Sequence, residues 1–260
     1  MSLLAGKTAI ISGIGPGMGR DMALSFAREG ADLALGARST EYVEGVAKEV
    51  RALGRRAIAV TTDIGVPADC ARLAARAQAE LGGVDVLVNN AYHPGAYELF
   101  ESADLERWRA PLEVNLLGSL RLTQEVVPLL KRRGGGSIVF INSMIVRDVL
   151  PTMASYAASK GALLAAAQGL ARELGAYKIR VNSVLPGYIW GATLEGYFAA
   201  QASARGVDPA VVYQEVAARI ALGSIPTSEE IAGAALFFAS DLARVVTGQT
   251  LDVNGGQVMA

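Results

Sequence analysis

The sequence has one cysteine, Cys70, and one histidine, His93, in 260 residues. A single cysteine excludes an internal disulfide. With only one histidine beside it, an ordinary His/Cys zinc site is excluded as well, and no metal is expected. Net charge is also scarce: 24 Lys and Arg face 25 Asp and Glu, a formal balance of -1. Nothing in that balance draws the chain to nucleic acid. No stretch approaches the ~20 uninterrupted apolar residues of a membrane span. The N-terminal Met1 to Lys7 lacks the long apolar core of a secretion signal. No membrane partner is therefore expected, and a cytoplasmic location follows by default. No Pro/Ser-rich tract, charge block or low-complexity segment divides the chain, so residues 1–260 read as one domain. What is abundant is apolar surface, at 52% of residues, enough for a domain of this size to hold together without a disulfide or metal.

Short apolar runs alternate with longer helical patterns. Strands are expected at Thr8 to Ser12, Asp32 to Gly36, Ala57 to Thr61, Val84 to Asn89, Ser137 to Ile141, Ile179 to Val184 and Gln249 to Val253. Helices are expected at Gly17 to Glu29, Glu41 to Leu53, Asp69 to Leu81, a broken Ala103 to Arg132, Ala154 to Gly175 and Glu229 to Ala239. Near-continuous apolar strands are buried on both faces, which marks a parallel sheet. The alternation implies right-handed crossovers and an α/β, Rossmann-like doubly wound sheet with helices on both faces. Ligands of such sheets bind at the carboxyl ends of the strands, so the chemistry is sought in the residues that leave each strand.

The first strand leaves through Ser12-Gly13-Ile14-Gly15-Pro16-Gly17-Met18-Gly19 and runs into a helix. A pyrophosphate needs free backbone N–H groups, the positive end of a helix dipole and no Cβ in the way. Gly13, Gly15, Gly17 and Gly19, with Met18 between them, offer those conditions, although a tight turn without a ligand would use the same glycines. The second strand ends Gly36-Ala37-Arg38-Ser39-Thr40, without the acid that would hold an NAD ribose. Arg38 could pair with a 2′-phosphate and Ser39 could donate to it, which favours NADP(H). NAD(H), with Arg38 stacked on its adenine, is the alternative. After the third strand, Asp63-Ile64 could meet the adenine, or Asp63 could be the N-cap of the helix that follows.

Tyr156-Ala-Ala-Ser-Lys160 lies near the start of a helix, and residues at i and i+4 share a face. An ammonium there would lower the phenol's pKa and suit it to proton transfer with an alcohol oxygen. The pair is common by chance, but it has company. Ser143 follows a strand exit, Asn89-Asn90-Ala91 leaves another, Asn115 sits in a helical run, and Pro186-Gly187 follows a third strand.

In this joint order, from the glycine turn to Val253-Asn254-Gly255-Gly256, the chain resembles the short-chain dehydrogenase/reductase family. The resemblance implies an oxidoreductase moving a hydride between NADP(H) or NAD(H) and a carbonyl or secondary alcohol. It makes Tyr156 the general acid/base and gives Lys160 two tasks, lowering its pKa and holding the nicotinamide ribose. Ser143 would bind the substrate oxygen, and Asn115 would hold a water that relays protons. Asn90 and Ala91 would lie along the cofactor, with Pro186, Gly187 and Ile189 near the nicotinamide. It also implies a homotetramer, since alanine-rich Ala154 to Leu174 and the apolar last strand suggest buried faces beyond one subunit's need.

Two departures stand out: Tyr92 where the family has glycine after Asn-Asn-Ala, and Gly191 where it has a threonine, with Thr193 two residues on. Within the substrate-loop region, residues 186–226, Tyr188, Trp190, Leu194, Tyr197 and Phe198 either wall an apolar pocket or pack the lid. A bulky, largely apolar ketone or alcohol is the expected partner. His93 either touches substrate or is an exposed loop residue. The rival reading from another class is a non-catalytic nucleotide sensor or scaffold on the same fold. A dehydratase or epimerase would need a second acid–base pair that the sequence does not add.

Overall fold

The computed structural model describes residues 2–259. Seven strands, β1 (Thr8–Ser12), β2 (Asp32–Ala37), β3 (Ala57–Thr61), β4 (Val86–Asn89), β5 (Gly136–Ile141), β6 (Ile179–Pro186) and β7 (Thr250–Val253), form one sheet in the order β3-β2-β1-β4-β5-β6-β7. Every pairing is parallel. The inner strands β1, β2 and β4 are buried along their whole length because helices cover both faces.

One face carries α1 (Met18–Arg28), α2 (Thr40–Ala52) and α9 (Ser228–Ala239), whose apolar stripes pack with Ile11, Leu33, Leu35 and Val88. The other carries α3 (Pro67–Leu81), α5 (Ser119–Arg132) and α6 (Ala154–Leu174), packed on Ile10, Leu87, Ile138 and Phe140. The expected doubly wound sheet is the one observed, and the strand order reverses between β1 and β4. In sheets of this kind the crevice that takes a ligand lies at the carboxyl edge of such a switch point.

Three details differ from the pattern read in the sequence. The helix expected from Ala103 starts later, as α4 (Arg109–Pro111), because Asp104 caps the N–H of Glu106 and opens a 3-10 turn, Leu105–Trp108, ahead of it. That helix then widens into a π segment, Leu112–Gly118, before running on as α5. Between β6 and α9, α7 (Ala192–Arg205) and α8 (Pro209–Ala217) form a lid with a small core of its own. The two ends of the lid are tied to each other where Trp190 donates its N–H to the Pro226 carbonyl at 2.8 Å. No helix among the described residues is long and apolar enough to cross a membrane, and those residues hold no cluster of metal-ligating side chains.

Candidate active site

The glycine turn between β1 and α1 is built to be close-packed behind and open in front. Gly13 has φ +78°, and a Cβ on it would sit 2.3 Å from the Ala91 nitrogen. A Cβ on Gly19 would lie 2.4 Å from the Gly13 carbonyl, so the helix start must press against the turn. Gly15, by contrast, faces nothing within 4 Å. Gly17 is the N-cap of α1 and supplies no side-chain cap, so first-turn N–H groups keep their capacity to hold an anion. Asn90 donates Nδ2 to the Gly13 carbonyl at 2.7 Å and ties β4 to the turn. Met18 is buried in the core beneath, which leaves its backbone rather than its thioether to face a ligand.

Arg38 and Ser39 leave β2 on the same edge, both exposed. Ser39 caps α2 by accepting the Tyr42 N–H at 3.3 Å, so its hydroxyl proton remains free to donate. Arg20, the other cation close to this turn in sequence, is tied up with Glu49 and Asp21. Asp63 is not the N-cap of the following helix; Val66 holds that position. Asp63 instead accepts the Gly65 N–H at 2.9 Å and donates its own N–H to Asp69. Ile64 is buried against Gly118, so only its backbone can reach a nucleotide.

Ser143, Tyr156 and Lys160 converge where β5 ends. Ser143 opens the 3-10 turn Met144–Val146 and accepts the Ile145 N–H at 3.2 Å, which leaves its O–H as a donor. Lys160 is fully buried, donates Nζ to the Ile141 carbonyl at 2.8 Å, and lies 5.8 Å from the Tyr156 ring centroid. Burial without an anionic partner pushes its pKa down to about 7. Burial also pushes the Tyr156 phenol well above its usual range, a hydrogen bond from Ser143 pulls it back, and the nearby Tyr92 and Tyr97 phenols push it further up. The ammonium is not among the causes that move the phenol, so the lowering expected from it is absent in this arrangement, where desolvation disfavours the charged form of both groups.

Asn115 lies in the π segment, fully buried. Its Oδ1 accepts the His93 N–H at 2.7 Å, and its Nδ2 donates to the His93 carbonyl at 3.0 Å and to Ser159 Oγ at 2.8 Å. Both amide protons are thereby used. Ser159 and Ser155 each stand beside a catalytic candidate, and sequence reasoning does not single them out. Ser155 accepts the Ala96 N–H at 3.2 Å and so fixes the loop after Gly95 against α6. Their only sequence signal is adjacency to Tyr156 and Lys160.

Pro186 ends β6, and Gly187 passes so close to Asn254 that a Cβ would come within 2.7 Å of that residue's Cβ. Gly191 is the N-cap of α7, without the side-chain cap a threonine would give. Ile189 packs on the core. Tyr92 turns outward and is 59% exposed. Of the expected pocket wall, Trp190 and Phe198 pack with Tyr213 inside the lid; the Phe198 ring centroid is 5.9 Å and that of Tyr213 4.7 Å from Trp190, and Leu194 joins them. Tyr188 also packs partly on that lid core, whereas Tyr197 is largely exposed.

A family model described as enoyl-(acyl carrier protein) reductase matches residues 13–257. An L-rhamnose 1-dehydrogenase (NAD(P)+) of a Sphingomonas species is 35% identical over 258 residues, 98% of this chain and 98% of the relative. A 7α-hydroxysteroid dehydrogenase solved with NADH and 7-oxo glycochenodeoxycholic acid is 34% identical, with a TM-score of 0.89 over 99% of this chain and 96% of that one. L-sorbose reductase from Gluconobacter frateurii, solved with NADPH and L-sorbose, reaches a TM-score of 0.94 at 29% identity and covers both chains completely. The glycine turn, the strand order and these matches over nearly the whole chain agree, and the chain belongs to the short-chain dehydrogenase/reductase family of oxidoreductases.

Proposed function

We propose that the chain transfers a hydride between a nicotinamide dinucleotide, with NADP(H) preferred, and a carbonyl or secondary alcohol, using Tyr156 as general acid/base. The observation that carries this reading is the meeting of Tyr156, Ser143 and Lys160 beside a glycine turn whose open side suits a pyrophosphate. The cofactor supplies and accepts the hydride; its fit rests on the close-packed Gly13 and Gly19, the open Gly15 and the uncapped start of α1. In reduction, the Tyr156 O–H donates its proton to the carbonyl oxygen while Ser143 O–H stabilises the charge developing there. A phenol held high is protonated at neutral pH, as that step requires. Lys160, whose pKa burial brings down to about 7, can return a proton to the phenolate. Asn115 has both amide protons committed, so a relay water would be held by the main chain of the π segment. Oxidation of an alcohol runs the same transfers in reverse.

NADP(H) is preferred because Arg38 is exposed and no acid ends β2. The L-sorbose reductase holds NADPH and the hydroxysteroid dehydrogenase NADH, so the family tolerates either. The non-catalytic sensor is not favoured, since a sensor has no use for a buried Lys160 beside a tyrosine phenol. We also propose a homotetramer, supported by two separate apolar faces taken up in the Discussion.

The test is a fluorescence titration with NADPH and NADH, followed by turnover of Tyr156→Phe. Tyr156→Phe should lose roughly 10²–10⁴-fold in kcat and bind cofactor as the parent does. Arg38→Ala should weaken NADPH about 10-fold or more by loss of charge-assisted bonds and leave NADH nearly unchanged. Parent-like turnover by Tyr156→Phe would sink the mechanism, and tighter NADH than NADPH binding would sink the preference.

A further inference from the structure

The turn His93-Pro94-Gly95 is more firmly built than a surface loop requires. Asn115 clasps the main chain of His93 on both sides, at 2.7 and 3.0 Å. The Gly95 N–H donates to His93 Nδ1 at 3.1 Å. Nδ1 is then an acceptor, and the neutral ring carries its proton on Nε2. Among the described residues no group accepts from Nε2, and Nε2 is not one of the buried side-chain atoms left without a partner. This N–H therefore opens to space. The turn abuts the catalytic helix: a Cβ on Gly95, at φ +84°, would stand 2.8 Å from Ser155 Oγ and 3.1 Å from Tyr156 Cβ. Ala96 and Glu98 continue the contact through Ser155 Oγ and the Thr152 carbonyl. Around it, Tyr92 and Tyr97 lie near Tyr156, while Tyr97 and Tyr197 lie near Tyr188. The exposed phenols of Tyr92, Tyr97 and Tyr197 offer flat apolar faces tipped with hydroxyls, which suits an uncharged, oxygen-bearing ring.

We propose that His93 is a specificity-determining residue whose Nε2–H donates to a second substrate oxygen on the carbon beside the reacting one. The substrate class is then a cyclic α-hydroxy ketone or the matching 1,2-diol. This inference rests on the dehydrogenase reading above. Set against the bulky, apolar ketone expected from sequence, it names a smaller, more oxygenated ring, and the packing of Trp190 and Phe198 in the lid core favours it.

Two substitutions separate the two ring nitrogens. Asparagine at 93 puts an acceptor close to where Nδ1 sits and lacks the distal donor. Glutamine reaches the distal donor and lacks the acceptor that Gly95 uses. The experiment measures kcat/KM for 2-hydroxycyclohexanone against cyclohexanone, with NADPH and with NADH, in the parent, His93→Gln and His93→Asn. The parent should favour the hydroxy ketone by about 10-fold or more, the cost of leaving a desolvated donor unpaired. His93→Gln should keep most of that ratio, and His93→Asn should bring it close to one. A merely structural histidine gives the opposite order, with Asn conserving the ratio and Gln losing it, and that result would overturn the proposal. A parent ratio near one also overturns it, without recourse to either variant, while the dehydrogenase reading stands. Turnover of neither ketone with either cofactor would overturn both.

Discussion

At Lys160 a charge is buried against a single carbonyl, and the protein bears the desolvation. Its pKa falls from 10.5 to about 7. The unfolded chain therefore binds more protons than the folded one between about pH 7 and 10.5, and stability rises with pH across that window. Below pH 7 both states are charged, and the penalty is present in full. Lys160→Met, of similar length and no charge, should stabilise the chain at pH 7 by about 1–2 kcal/mol. The gain should shrink toward pH 10, and turnover should be lost. Denaturant unfolding of both proteins at pH 7 and pH 10 checks this; an equal or larger gain at pH 10 would show that burial of the ammonium is not the source of the penalty.

At the scale of elements, the site depends on loops held to α6. Gly95 has φ +84° and no room for a methyl against Ser155 and Tyr156. Gly95→Ala adds left-handed strain of roughly 1–2 kcal/mol and pushes on Tyr156. Turnover should fall by about 10-fold or more while cofactor binding at the separate glycine turn is retained. Steady-state kinetics beside a cofactor titration checks it, and equal losses in both would point to general unfolding. The same elements show what is legible in the sequence. The strands are readable because buried parallel strands are continuous apolar runs, as in Ala9 to Ile11 or Val86 to Val88. Tyr156, Lys160 and Ser143 are readable because one helix face and one strand exit bring them together. The π segment is not, since widening a helix at Asn115 depends on partners, His93 and Ser159, that lie far off in sequence. Trp190 and Phe198 cannot be assigned either: a ring at helical spacing looks alike whether it faces a cavity or a lid core. Asp63 reads as a possible N-cap, but Pro67 at the first turn moves the cap to Val66.

At the scale of the whole molecule, two apolar faces remain on separate sides. Along α6, Ala158, Ala165 and Gly169 are exposed and Gly161 and Ala162 are only partly covered, so the helix has no continuous polar face. At the far end of the sheet, β7 has one open edge, and Leu251 there is 39% exposed. Each face can meet its own copy across a two-fold axis, and two different two-fold interfaces on one chain close into a tetramer. Light scattering of the purified protein should then give the mass of four chains. Ala165→Glu places like charges against each other across one axis, and Leu251→Lys does so across the other. Each single variant should run as a dimer and the double variant as a monomer. Small residues on α6 let the helix backbones approach closely, so Ala165→Glu should be the more disruptive of the two, measured as the midpoint of dimer formation on dilution. A parent protein with the mass of one chain would remove the tetramer. A tetramer untouched by either substitution would mean that other faces of the chain form its interfaces.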